Sequence, residues 1–100
     1  MRESSDATVG QDIQSARHVL LDVYAPWCGP CKAMTPMLEE FDRTHPDVSV
    51  IKINGDENPA TMQTYGVSAY PTLILFRDGQ FVGNYVGNPG SLAGLEQLLR

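Results

Sequence analysis

The sequence predicts an α/β domain, built on a mixed sheet of about four strands with helices on both faces. Three observations carry this. Val19-Leu20-Leu21-Asp22-Val23-Tyr24-Ala25 is a nearly unbroken apolar run of strand length, as expected of a strand buried on both faces. Segments with helical spacing alternate with strand-like segments around it, so the strands they join run parallel. Asp78-Gly79 separates two strand-like runs and is a strong hairpin signal, which makes the last two strands antiparallel.

The elements follow in order. Thr8 to Ala16 reads as a short helix, weakened by Gly10 and capped by Asp6 or Thr8. The buried strand comes next and runs out into the loop Pro26-Trp27-Cys28-Gly29. A helix from about Pro30 to Thr44 presents Met34, Met37, Leu38 and Phe41 to the core. Pro36 should kink it, because proline lacks the amide N–H and clashes one turn back. Val48 to Asn54 alternates as a strand. Asn58-Pro59 opens a short helix to about Tyr65, proline being tolerated in a first turn. Tyr70-Pro71 leads into a strand over Thr72–Arg77, and Phe81–Val86 returns beside it until Gly87 breaks it. Ser91 caps a last helix with the apolar stripe Leu92, Leu95, Leu98 and Leu99.

A chain of 100 residues holds one modest core, so residues 1–100 read as one domain. The net charge is −5 and the seven basic residues are scattered, which argues against a nucleic-acid surface. No apolar run approaches the roughly 18 residues of a helical membrane span. The start, Met1-Arg2-Glu3-Ser4-Ser5-Asp6, lacks the apolar core of a secretory signal. It is expected to be a flexible stub, and the protein to be cytoplasmic. His18 and His45 read as ordinary surface or helix-end residues with no assigned role.

The only two cysteines stand three positions apart, Cys28 and Cys31. A stapled secreted domain spreads its cysteines to close long loops, whereas this loop is tiny. The pair lies where a strand ends and a helix begins. The first amides of a helix have no internal partner and carry partial positive charge, which favours a thiolate. Cys31 lies one turn later on the same side, within bonding reach. Cys28, at the exposed end, is expected to attack a substrate disulfide. Cys31, shielded, would then attack the mixed disulfide and release reduced product. Pro30 restricts the segment between the sulfurs, and Trp27 offers a flat apolar surface. Such a pair alone also fits half a zinc site or a structural bond. The zinc reading would have to recruit His18 and His45, far apart in sequence.

Trp27-Cys28-Gly29-Pro30-Cys31-Lys32 resembles the active-site signature of the thioredoxin family. Further motifs agree in order and spacing from about Asp6 to Leu99: Leu21-Asp22, Pro36, Asp56-Glu57-Asn58-Pro59, Tyr65-Gly66-Val67, Tyr70-Pro71-Thr72, Phe76-Arg77-Asp78-Gly79 and Val86-Gly87. The resemblance implies the thioredoxin fold and a protein-disulfide reductase. In it, Asp22 is the buried acid behind the dithiol, which exchanges a proton with Cys31. The residue-level reading agrees, since an aspartate inside an apolar strand has its pKa raised by burial; a wet strand face is the plainer alternative. Lys52 is the lysine beside this acid, or otherwise a solvated strand lysine. Pro71 is implied to be a cis-proline facing the disulfide, leaving the Tyr70 backbone free to pair with an extended substrate. The implied docking surface is Trp27, Gly29, Pro30, Ala69, Tyr70 and Gly87, with Asn88 at its margin.

The resemblance also implies that no cofactor or metal is bound, the dithiol being the redox group. Electrons are expected from NADPH through a thioredoxin reductase. The expected partners are that reductase and disulfide-containing proteins, met by a monomer with no nucleic acid or membrane. An oxidase or isomerase is the alternative chemistry, and the Gly29-Pro30 pair favours the reductase. A non-catalytic binding module, or a subunit of a larger assembly, is a different class, disfavoured by the intact cysteine pair. Some positions depart from the family pattern. Tyr70 replaces a usual isoleucine, Gly55 a branched apolar residue and Tyr24 a frequent tryptophan. The family's first strand is expected to be missing or truncated, which leaves Val48–Asn54 near an open edge.

Overall fold

The computed structural model describes residues 1–99. In chain order the elements are β1 (Arg2–Ser4), α1 (Val9–Ile13), β2 (His18–Tyr24), α2 (Gly29–Thr44), β3 (Val48–Asn54), a 3-10 turn at Gly55–Glu57, α3 (Pro59–Thr64), β4 (Thr72–Arg77), β5 (Gln80–Val86) and α4 (Leu92–Leu98). The strands form one sheet in the order β1-β3-β2-β4-β5. β2 pairs parallel with β3 and antiparallel with β4, and β4 pairs antiparallel with β5.

Strand periodicity explains why the β2 run is apolar throughout. Successive side chains point to opposite faces. Leu20 joins Met34, Leu38, Phe41, Leu73 and Leu95 in a core beneath α2 and α4. Val19, Leu21 and Val23 join Ile13, Ile51, Ile53, Ile74 and Phe76 in a second core on the other face. Removing each such side chain from water stabilises the fold by roughly 1.5–3 kcal/mol. A residue in the middle of β2 is therefore walled in on both sides.

α2 continues through Pro36 without a break. The hairpin turn has positive φ at Asp78 (53°) and Gly79 (79°), as a two-residue turn between right-twisted strands requires. The Ser91 hydroxyl caps α4 by accepting the Gly94 amide at 3.0 Å.

The beginning of the chain differs from the sequence-based expectation. The sheet has five strands, because β1 pairs parallel with β3 at Arg2↔Ile51, Glu3↔Lys52 and Ser4↔Ile53. β1 rather than β3 is therefore the edge, although it is only 3 residues long. Polar contacts hold this segment, so no apolar pattern advertises it. The buried Ser4 hydroxyl donates to Asp12 at 2.8 Å, and the Arg2 guanidinium lies 3.1 Å from the same carboxylate. The Met1 ammonium pairs with Asp42 at 2.8 Å. Residues 1–6 are thus tied to the fold at several points instead of forming a detached stub.

α1 is also shorter than the expected span, and Asp6 does not cap it. The Asp6 carboxylate instead accepts the Ala60 amide at 3.1 Å, the Thr61 amide at 2.9 Å and the Thr61 hydroxyl at 2.7 Å. It caps α3 from 54 residues away. Thr8 occupies the N-cap position of α1 but makes no side-chain bond to its amides.

Candidate functional site

β2 ends at Tyr24, and the following loop carries Cys28 to the first turn of α2. Cys28 is the N-cap of that helix, and the Cys31 amide donates to its Sγ at 3.2 Å. This is one of the helix's otherwise unpartnered amides. Cys28 and Cys31 are joined in a disulfide with their Cα atoms 5.3 Å apart. Exposure does not distinguish them as expected, since each is 4% exposed. The Cys28 amide is bonded back to the Ala25 carbonyl at 3.1 Å, and both sulfurs pack with Ala25 beneath Tyr24 and Tyr70. Their surroundings are what differ. Cys28 Sγ receives the helix amide, whereas Cys31 lines a cavity of about 190 Å³ shared with Asp22, Tyr24, Thr35 and Lys52.

Asp22 is buried, and its Oδ1 has no hydrogen-bond partner among the described residues. Burial raises its pKa to about 7; the Lys52 charge opposes the rise and the Glu3 carboxylate adds to it. Lys52 is the cross-strand neighbour of Asp22. Its ammonium lies 3.8 Å from Glu3 and 5.5 Å from the Tyr24 ring centroid. The Tyr24 hydroxyl donates to both Glu3 oxygens at 2.8 and 3.0 Å. β1 therefore sets a second carboxylate against Tyr24 and Lys52, two residues that line the Asp22 cavity. Nothing local in the sequence marks Glu3 for this.

On the other side of the sulfurs, the Tyr70–Pro71 peptide is cis. Pro71 is buried, and its carbonyl accepts the Gly87 amide at 2.8 Å, which brings the Gly87 loop to the cis bond. The Tyr70 amide and carbonyl make no backbone hydrogen bond among the described residues. Trp27 is 69% exposed, a large apolar surface left in solvent. Gly29, Pro30, Ala69 and Asn88 are exposed too, although the Asn88 side chain is occupied by the Gly90 amide.

The sequence motifs singled out Asp56 without a role. Its carboxylate accepts the Trp27 indole N–H at 2.7 Å through one oxygen and the Tyr70 hydroxyl at 3.0 Å through the other. The Trp27 and Tyr70 rings meet edge-on with centroids 5.6 Å apart. Asn54 holds Asp56 in place by accepting its amide at 3.0 Å. His18 and His45 line a separate cavity at the opposite end of β2, about 20 Å of strand from the cysteines. They do not approach the sulfurs, as a shared zinc site would require.

The thioredoxin family profile matches residues 1–100. A thioredoxin from Alicyclobacillus acidocaldarius is 49% identical over 84 residues, covering 83% of this chain and 80% of the relative. A Mycobacterium tuberculosis thioredoxin is 44% identical over 96 residues, covering 94% of this chain and 83% of the relative. Among solved structures, oxidised mitochondrial thioredoxin 3 from Saccharomyces cerevisiae superposes with a TM-score of 0.87 at 33% identity. That match covers 97% of this chain and 91% of the yeast protein.

Proposed function

This chain belongs to the thioredoxin family and is a thiol–disulfide oxidoreductase, and we propose that it works in the reducing direction on protein disulfides. The observation that carries the reading is a cysteine pair at a helix start with a raised-pKa acid on the cavity behind Cys31. In the reduced protein, the Cys28 thiolate attacks one sulfur of a substrate disulfide. A mixed disulfide forms and one substrate thiolate leaves. Asp22, as carboxylate, takes the proton of the Cys31 thiol across their shared cavity, which is wide enough for bridging water. The Cys31 thiolate then attacks Cys28 Sγ, closes the Cys28–Cys31 disulfide and expels the second substrate thiolate. Two electrons have passed from the dithiol to the substrate.

Docking is proposed through Trp27, Gly29, Pro30, Ala69 and Gly87, with the Tyr70 backbone, unpaired among the described residues, taking an extended segment as an added strand. Lys52 holds positive charge near Asp22, and Pro71 shapes the wall facing the sulfurs. The dithiol is the redox group, and NADPH, through a thioredoxin reductase, is the proposed electron source. The protein is proposed to act as a cytoplasmic monomer. The test is insulin reduction with NADPH and a thioredoxin reductase. Turnover is expected, and a strongly oxidising potential with no turnover would point to an oxidase.

A further inference from the structure

Gly55 is buried at the start of the 3-10 turn, and its φ is not in the left-handed region. Backbone freedom therefore does not explain a glycine there. Space does. A Cβ at position 55 would stand 2.5 Å from the Tyr70 hydroxyl oxygen, 2.6 Å from the ring edge and 2.7 Å from the Met62 sulfur. Real Cβ atoms do not approach this closely, so any side chain at 55 displaces the Tyr70 ring as well as the Met62 tip. The seated ring is the one whose hydroxyl bonds Asp56 at 3.0 Å, while the other Asp56 oxygen holds the Trp27 indole at 2.7 Å.

We propose that Gly55 is a positioning residue: it seats Tyr70, which through Asp56 fixes Trp27 beside Cys28 and so sets which protein disulfides dock. The unusual residues at 55 and 70 are then one coupled change. Tyrosine at 70 needs the empty slot, and an empty slot without the tyrosine would leave a void. The shape of the indole wall is set by the ring it meets edge-on and by a carboxylate shared between two donors. The relay acts on docking, so a large folded substrate feels it and a small disulfide does not.

The inference rests on the docking surface proposed above. The pre-reduced full chain is compared with Gly55→Ala, Tyr70→Ile and the double variant, without any reductase. Single-turnover rates are measured on insulin and on hydroxyethyl disulfide. Trp27 is the only tryptophan, so its emission reports the relay directly. Gly55→Ala is expected to slow insulin reduction about tenfold, roughly one lost contact at ~1.4 kcal/mol. It should also shift the emission. In the Tyr70→Ile background the same alanine should change the insulin rate less than about twofold and leave the emission alone, the signature of coupled neighbours.

Equal effects of Gly55→Ala with and without Tyr70 would overturn the coupling. An equal loss on hydroxyethyl disulfide would show an effect on Cys28 reactivity and would overturn the docking role. If Gly55→Ala does not fold, Tyr70→Phe decides: it keeps the ring and removes only the hydroxyl. An unchanged Trp27 emission in that variant would overturn the relay. Failure of the unaltered protein to reduce insulin at all would instead count against the reductase reading.

Discussion

Asp22 owes its chemistry to being a charged residue type in a strand that both cores enclose. Its pKa of about 7, against an ordinary 3.8, means that the folded protein holds a proton there that the unfolded chain gives up. Below 3.8 the acid is protonated in both states and no charge is buried; stability is lost as pH rises from there through about 7, because the fold must then bury a carboxylate. Asp22→Asn should remove this slope and stabilise the oxidised protein at pH 8, by at most about 4 kcal/mol. Urea unfolding of both proteins at acidic, neutral and alkaline pH measures it, and parallel curves would count against the assignment. Because only the carboxylate accepts a proton, the resolving rate should rise with pH through about 7 and lose that rise in Asp22→Asn. The placement of Asp22 was legible, since an aspartate in an unbroken apolar run announces its own burial. Glu3 and Asp56 were not, because each acts on a partner 21 or more residues away that no local pattern links to it.

At the scale of elements, legibility followed apolar periodicity. The ranges of β3 and β4 and the α4 cap could be read directly, because alternation, a hairpin turn and a capping serine are local signals. β1 and the cap on α3 are built from long-range polar contacts, and polar residues at the start of a chain also look like a tail. Asp6 shows the difference. Hydrogen bonds from Thr61 and Ala60 lower its pKa, most of all the Thr61 hydroxyl. The stabilisation is therefore present above 3.8 and is lost as pH falls through the lower folded value. Asp6→Asn should lower the thermal midpoint at neutral pH, and the gap should close in acid. Thermal melts followed by circular dichroism across that range are the check. A gap that stays constant with pH would mean that the carboxylate charge plays no part in holding α3.

For the whole molecule, the separation of the sulfur site from the two cores decides how stability and chemistry respond to change. Cys28, Cys31 and Ala25 form a small cluster of their own, apart from the cores on either face of the sheet. Phe41, fully buried in one of those cores and stacked on His45 at 4.0 Å, should behave in the opposite way to the cysteines. Phe41→Ala is expected to cost about 3–5 kcal/mol, a large part of a domain's typical stability, while the molecules still folded keep their rate. Cysteine substitutions should spare the fold and split the chemistry. The two cysteines are equally covered in the disulfide, so exposure cannot assign their roles, but the helix amide on Cys28 Sγ stabilises charge on that sulfur alone. Cys31→Ser should therefore accumulate mixed disulfides with protein substrates through Cys28, visible on non-reducing gels and located by mass spectrometry. Cys28→Ser should accumulate few, because Cys31 faces the Asp22 cavity instead of the docking surface. The reverse pattern would exchange the two roles and move the attacking sulfur to the cavity side of the helix.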